Sequence, residues 1–145
     1  MDVERMKRVY LAGPFFNETE VANVEYAERV LTERGFDVFS PRHHTVDAEV
    51  GSVEWAHGIF EMDRSNLDTA DVIVMLYYGN YSDTGTAWEC GYAYAKGIPV
   101  VLVHVDDKDS NLMLHVGCAS NISLGDLPAY DFDTLPRHEF EGKMF

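Results

Sequence analysis

Apolar residues fall into two patterns along this chain, and their alternation predicts the fold class. Short, nearly continuous apolar runs occur at residues 8–12 (RVYLA), 36–39 (FDVF), 72–76 (VIVML) and 98–105 (IPVVLVHV), with a minimal fifth at 122–124. Runs of this length bounded by Gly, Pro and Asp read as strands buried on both faces. Between them the apolar positions recur at helical spacing. Val21, Val24, Ala27, Val30 and Leu31 predict a first helix, opened by Asn17 with Glu20 three residues on and closed by Gly35. Residues 52–69 predict a second, with Trp55, Ile59, Met62 and Leu67 on its inner side. Residues 82–95 (SDTGTAWECGYAYA) predict a turn that runs into a third helix, capped by Asp83 and ended by Lys96-Gly97. Residues 111–118 predict a short fourth helix.

Strand and helix alternate throughout, so the fold class is α/β, with a parallel five-stranded sheet covered by helices on both faces and right-handed crossovers. Gly13-Pro14 cannot continue a ladder and ends the first strand, and Pro99 suits the beginning of the fourth. Residues 1–6 predict a frayed leader, 42–51 an irregular loop and 106–110 an acidic loop. Residues 130–145 are aromatic and charged without periodicity, and no element is assigned to them.

The length of 145 residues predicts one domain over 1–145, enough to bury a core without staples. A hydrophobic fraction of 46% with 12% aromatics belongs to a folded chain rather than a disordered one. Eleven basic residues against 25 acidic ones leave a formal net charge of −14. That disfavours nucleic acid and anionic membranes as partners, because both are bound by neutralising phosphate with Lys and Arg. The two cysteines, Cys90 and Cys118, have neither metal-ligand spacing nor a disulfide framework. His43 and His44 are adjacent and do not face one ion from a helix or a strand, so no metal and no cofactor is expected. A loop that touches a ligand over the sheet end suits them better. The N-terminal segment lacks the pattern of a signal peptide, and no run approaches membrane-spanning length, so the expected location is cytoplasmic.

Chemistry enters through three acids, Asp63, Asp83 and Glu89, all flanking the third strand. Ligands of open α/β sheets bind at the carboxyl ends of the strands, where these acids can converge. Close carboxylates in a confined site cannot all ionise, so at least one pKa rises. Chemistry at the anomeric carbon of a sugar needs such a division. One carboxylate attacks or stabilises an oxocarbenium-like centre, and another acid carries the leaving group's proton.

Five segments in order and spacing give the chain its resemblance to a known family. They are Val9-Tyr10-Leu11-Ala12-Gly13, the stretch from Glu61-Met62-Asp63 to Val72, Asp83 through Ala93, Asn111-Leu112-Met113, and Glu139 through Phe145. Together they resemble the nucleoside 2-deoxyribosyltransferases, whose fold is flavodoxin-like (Rossmann-like). The resemblance implies Glu89 as the nucleophile, Tyr10 as its hydrogen-bonding partner, and Asp63 and Asp83 as the two catalytic aspartates. It implies substrate contacts from Asn111, Met113, Gly13, Phe15 and the α-carboxylate of Phe145. It also implies 2′-deoxynucleosides and free purine or pyrimidine bases as partners, and a homo-oligomer whose subunits share sites through Asn111 and Met113. The activity implied is base exchange by a ping-pong route through a covalent deoxyribosyl-Glu89. Gly13-Pro14-Phe15-Phe16, Trp88, Cys90 and a terminal Phe145 depart from several members and bear on base preference.

Two other readings stand beside this one. A hydrolase of 2′-deoxynucleoside 5′-monophosphates would need serines or backbone amides around a phosphate, where this chain has Asp83 and Asn111. A non-catalytic nucleotide-binding module on the same architecture would need no acid trio.

Overall fold

The computed structural model describes residues 5–79, 83–106 and 109–145. Ser82 at the start of the predicted turn, residues 1–4 of the predicted leader, and Asp107 and Lys108 of the acidic loop lie outside the described residues.

Five parallel strands form the sheet: β1 (Arg8–Ala12), β2 (Asp37–Phe39), β3 (Val72–Tyr77), β4 (Val100–His104) and β6 (Ser120–Ser123), in the order β2-β1-β3-β4-β6. The helices are α1 (Glu18–Glu33), α2 (Val53–Asp68), α3 (Thr84–Ala95) and α4 (Leu112–Gly117). This is the flavodoxin-like arrangement, and the α/β class read from the chain is the one observed.

Local chemistry fixes the helix ends. Asn17 Oδ1 accepts from the Glu20 amide at 2.9 Å, and Glu20 Oε1 accepts from the Phe16 amide at 2.9 Å, a capping box displaced by one residue. Gly35 (φ 88°) and Gly97 (φ 74°) sit in the left-handed region after α1 and α3. Around them Phe36 N–H donates to Leu31 O and Ile98 N–H to Ala93 O, closing a Schellman motif at each end.

The alternation of side chains along a strand divides the core into two layers. Val9 and Leu11 of β1 pack with Val24, Ala27, Val30 and Leu31 of α1, and with Leu127, Tyr130 and Phe132. Tyr10 and Ala12 point the other way, toward Leu67 of α2, Cys90 and Ala93 of α3, and Cys118. Tyr10 therefore faces the side of the sheet that carries α2 and α3.

The observed elements differ from expectation in five places. The fourth strand is Val100–His104, shorter at both ends than 98–105, and the last is Ser120–Ser123 rather than 122–124. On α2 only Leu67 is fully buried, while Trp55, Ile59 and Met62 are half-buried, because α2 packs beside α3 at the margin of the layer. Residues 41–43 make a 3₁₀ turn inside the loop expected to be irregular. Finally, β5 (Asp109–Ser110) and β7 (Lys143–Met144) form a separate two-stranded parallel ladder, where a loop and an unassigned tail were expected.

Candidate active site

Four of the expected residues meet at the carboxyl end of β1 and β3. Tyr10 is fully buried on β1, and its hydroxyl donates a hydrogen bond to Glu89 Oε2. Glu89 lies in the second turn of α3, the helix that starts just beyond β3. Asp83 caps that helix: its Oδ2 accepts from the Thr86 amide at 3.0 Å and from the Thr86 hydroxyl at 2.9 Å. Gly85 leaves room for this, since a Cβ there would lie 3.2 Å from Asp83 Oδ2. Asp63 comes from the middle of α2, the helix that delivers Leu67 to the same layer.

The electrostatics follow from this packing. Burial raises Glu89 to about 7; the hydrogen bond from Tyr10 opposes that rise, and the charges of Asp63 and Asp83 add to it. Burial alone raises Asp63 to about 6, and its buried Oδ1 has no hydrogen-bond partner. An ionised carboxylate with a bare buried oxygen is costly, so the protonated form is favoured there. Burial first, then the charge of Glu89, hold Tyr10 far above the ordinary phenol range, so it acts only as a donor. Two acids that titrate near neutrality, oriented by a neutral phenol, can divide the roles of charged nucleophile and proton donor. Cys90, next to Glu89, is a buried thiol raised by desolvation, with its Sγ 3.1 Å from Met75 Sδ; it fills the core.

The remaining expected residues fall in two groups, one around the start of α4 and one just after β1. Asn111 caps α4, its Oδ1 accepting from the Met113 amide at 2.9 Å while its own amide donates to the Tyr77 hydroxyl at 2.6 Å. Phe145 joins the same group, since its carbonyl accepts from the Leu112 amide at 2.9 Å. Among the described residues neither Asn111, Met113 nor Phe145 hydrogen-bonds to Asp63, Asp83 or Glu89. Asn111 and Met113 instead line an apolar groove of about 560 Å³ between α3 and α4, and Met113 is 74% exposed. Gly13 lies where β1 ends against β3; a Cβ there would sit 3.1 Å from Leu76 Cβ, so the close approach needs glycine. Phe15 is half exposed and stacks on Phe16 at 6.1 Å.

One neighbour of the cluster, Phe39, was not singled out from sequence, and His44 was read only as part of a loop over the sheet end. Phe39 packs on Tyr10 at 5.3 Å and carries His44 stacked on its far side at 4.5 Å. The turn before His44 is held by Glu28 of α1, which accepts from Ser40 at 2.6 Å and from Arg42 at 2.9 and 2.7 Å. Phe39 reads from sequence only as a strand residue, because its contact with Tyr10 depends on the β1–β2 register. The polar Ser40-Pro41-Arg42-His43-His44 run was the available signal for a loop fastened to an acid.

Comparison with known proteins agrees with the fold. Residues 9–123 match the family model described as nucleoside 2-deoxyribosyltransferase. A nucleoside deoxyribosyltransferase of Limosilactobacillus fermentum is 31% identical over 144 residues, covering 87% of this chain and 85% of the relative. A solved 2-deoxyribosyltransferase from Bacillus psychrosaccharolyticus superposes with a TM-score of 0.86 at 39% identity, covering 92% of this chain and 98% of the other. A relative from Thermofilum pendens, named as a 2′-deoxynucleoside 5′-phosphate N-hydrolase, is 30% identical over 104 residues, 70% of each chain. A matched span from β1 through β6, with a relative and a solved structure that each align over most of their length, places this chain in the nucleoside 2-deoxyribosyltransferase family of enzymes.

Proposed function

We propose that this enzyme exchanges the base of a 2′-deoxynucleoside through a covalent intermediate on Glu89. The observation that carries the reading is the Tyr10–Glu89 hydrogen bond inside a group of acids that titrate near neutrality. In the first half-reaction the ionised Glu89 carboxylate attacks C1′ and the bond from C1′ to the base nitrogen breaks. Its electron pair leaves with the base, which takes a proton from Asp63 or a neighbouring acid. In the second, the nitrogen of an incoming base attacks C1′, gives its proton back to that acid, and Glu89 departs. Tyr10 orients Glu89, and Asp83 and Asn111 anchor sugar hydroxyls. The missing 2′-hydroxyl of the substrate favours the route, since it would withdraw electrons from the oxocarbenium-like centre.

Asn111 and Met113 complete a neighbouring subunit's site in this reading, which fits the 74% exposure of Met113. The 5′-monophosphate hydrolase reading has support from the Thermofilum pendens relative. The carboxylate of Asp83 at the mouth of the site opposes it, because a phosphate close to it would be repelled.

The covalent step is tested by mixing the enzyme with a deoxynucleoside and no acceptor, then quenching in acid and digesting. Mass spectrometry should find a deoxyribosyl group on the peptide that contains Glu89, and none when adenine is added before the quench. An unmodified Glu89 peptide after full release of base would remove the nucleophile assignment.

A further inference from the structure

We propose that Glu139 is a positioning residue that registers the chain end, and with it Phe145 and Asn111, for the transfer reaction; this rests on the reading above that those two residues contact substrate. Residues 136–145 carry no periodic pattern, yet several of them are tied to the sheet and to α4. Arg137 Nη1 donates to Cys118 O at 2.7 Å, and its Nε donates to Glu139 Oε1 at 2.7 Å. The other oxygen, Glu139 Oε2, lies 2.6 Å from Nε2 of His115, a residue of α4 that is only 2% exposed. A carboxylate accepts and does not donate, so the hydrogen of His115 sits on Nε2 and the bond points at Glu139. The neighbouring His138 carbonyl accepts from the Asn121 amide at 3.0 Å and from Asn121 Nδ2 at 3.1 Å.

Beyond this clamp the tail reaches β7, and the ladder with β5 fixes its end. Phe145 N–H donates to Ser110 O at 3.0 Å and Phe145 O accepts from Leu112 N–H at 2.9 Å. Asn111 stands between those two partners, so the terminal residue and Asn111 move as one unit. A ladder of two residues per strand is too short to hold itself. Phe140 stacks on His104 of β4 at 4.4 Å, and the Arg137–Glu139–His115 bridge just before it ties the same tail to α4, the helix that Asn111 caps. The bridge is partly exposed, so its contribution lies in geometry more than in stability.

The test is Glu139→Ala in the full-length enzyme, read as base exchange between deoxyinosine and adenine. The KM for adenine should rise about tenfold, as expected for a misplaced binding group, with kcat within about twofold and Tm nearly unchanged. Amide exchange at Leu112 and Phe145 should quicken in the variant. A merely structural role would lower kcat with the folded fraction and leave KM alone. Where the alanine variant loses Tm, Glu139→Gln carries the same comparison with the side chain's shape kept. Unchanged KM and unchanged amide exchange overturn the proposal. A second variant, Asn111→Ala, separates the clamp from the site it positions. If Asn111→Ala raises KM and Glu139→Ala does not, the clamp alone is wrong. If neither variant moves KM, the assignment of Asn111 and Phe145 to the site is what fails.

Discussion

Glu89 is a carboxylate held between opposing influences, and its neighbours decide where it titrates. Burial raises it to about 7, and the Tyr10 hydroxyl pulls it down by donating to the charged form. Removing that hydroxyl therefore has a definite sign. In Tyr10→Phe the ionisation of Glu89 should need a pH above about 7, so kcat/KM at pH 6 should fall more than at pH 8. An equal loss at the two pH values would mean that Tyr10 only packs. Both partners were legible as candidates: Glu89 as an acid opening a helix beyond a buried strand, Tyr10 through the family's first strand. The rings behind Tyr10 were not, because a contact between Phe39 and Tyr10 exists only once two parallel strands have a register.

At the scale of elements, one residue does two jobs that substitution can separate. Asp83 caps α3 and also raises Glu89 through its charge. Asp83→Asn keeps a good cap and removes the charge, so stability should hold while the ionisation of Glu89 moves to lower pH. Asp83→Ala removes both and should cost about 1 kcal/mol of stability, typical of a lost cap, measurable by urea unfolding. Equal destabilisation by both variants would show that Asp83 does not cap through its side-chain oxygen. Two caps, Asn17 and Asp83, were legible because each precedes a helical run; Ser52 and Asn111, read only as helix starts, likewise accept a backbone hydrogen bond. The β5–β7 ladder was invisible for the opposite reason. Two-residue strands have no period to detect, and their pairing joins positions more than 30 residues apart. The inner face of α2 was overread, since half-burial beside α3 and full burial leave the same helical pattern.

The whole molecule is a sheet whose two faces serve different ends. One face, with α1 and the segment around Tyr130 and Phe132, is a plain apolar layer. The other brings Tyr10 of β1 and Cys90 of α3 into one layer, with Glu89 beside them. The parallel topology was legible from the apolar runs, because only strands covered on both sides dispense with alternation. The grouping at α4 was not legible from periodicity: Asn111 caps the helix, and Phe145 O accepts from the Leu112 amide, a contact that joins residues more than 30 positions apart.

The measurement that bears most directly on the account is base exchange. The enzyme is incubated with thymidine or deoxyinosine and free adenine, products are separated by chromatography, and Glu89→Ala is run in parallel. The account predicts new deoxyadenosine with the wild-type chain and none with the variant. Release of free base without deoxyadenosine, or turnover confined to 5′-monophosphates, would contradict it and assign the acid cluster to hydrolysis.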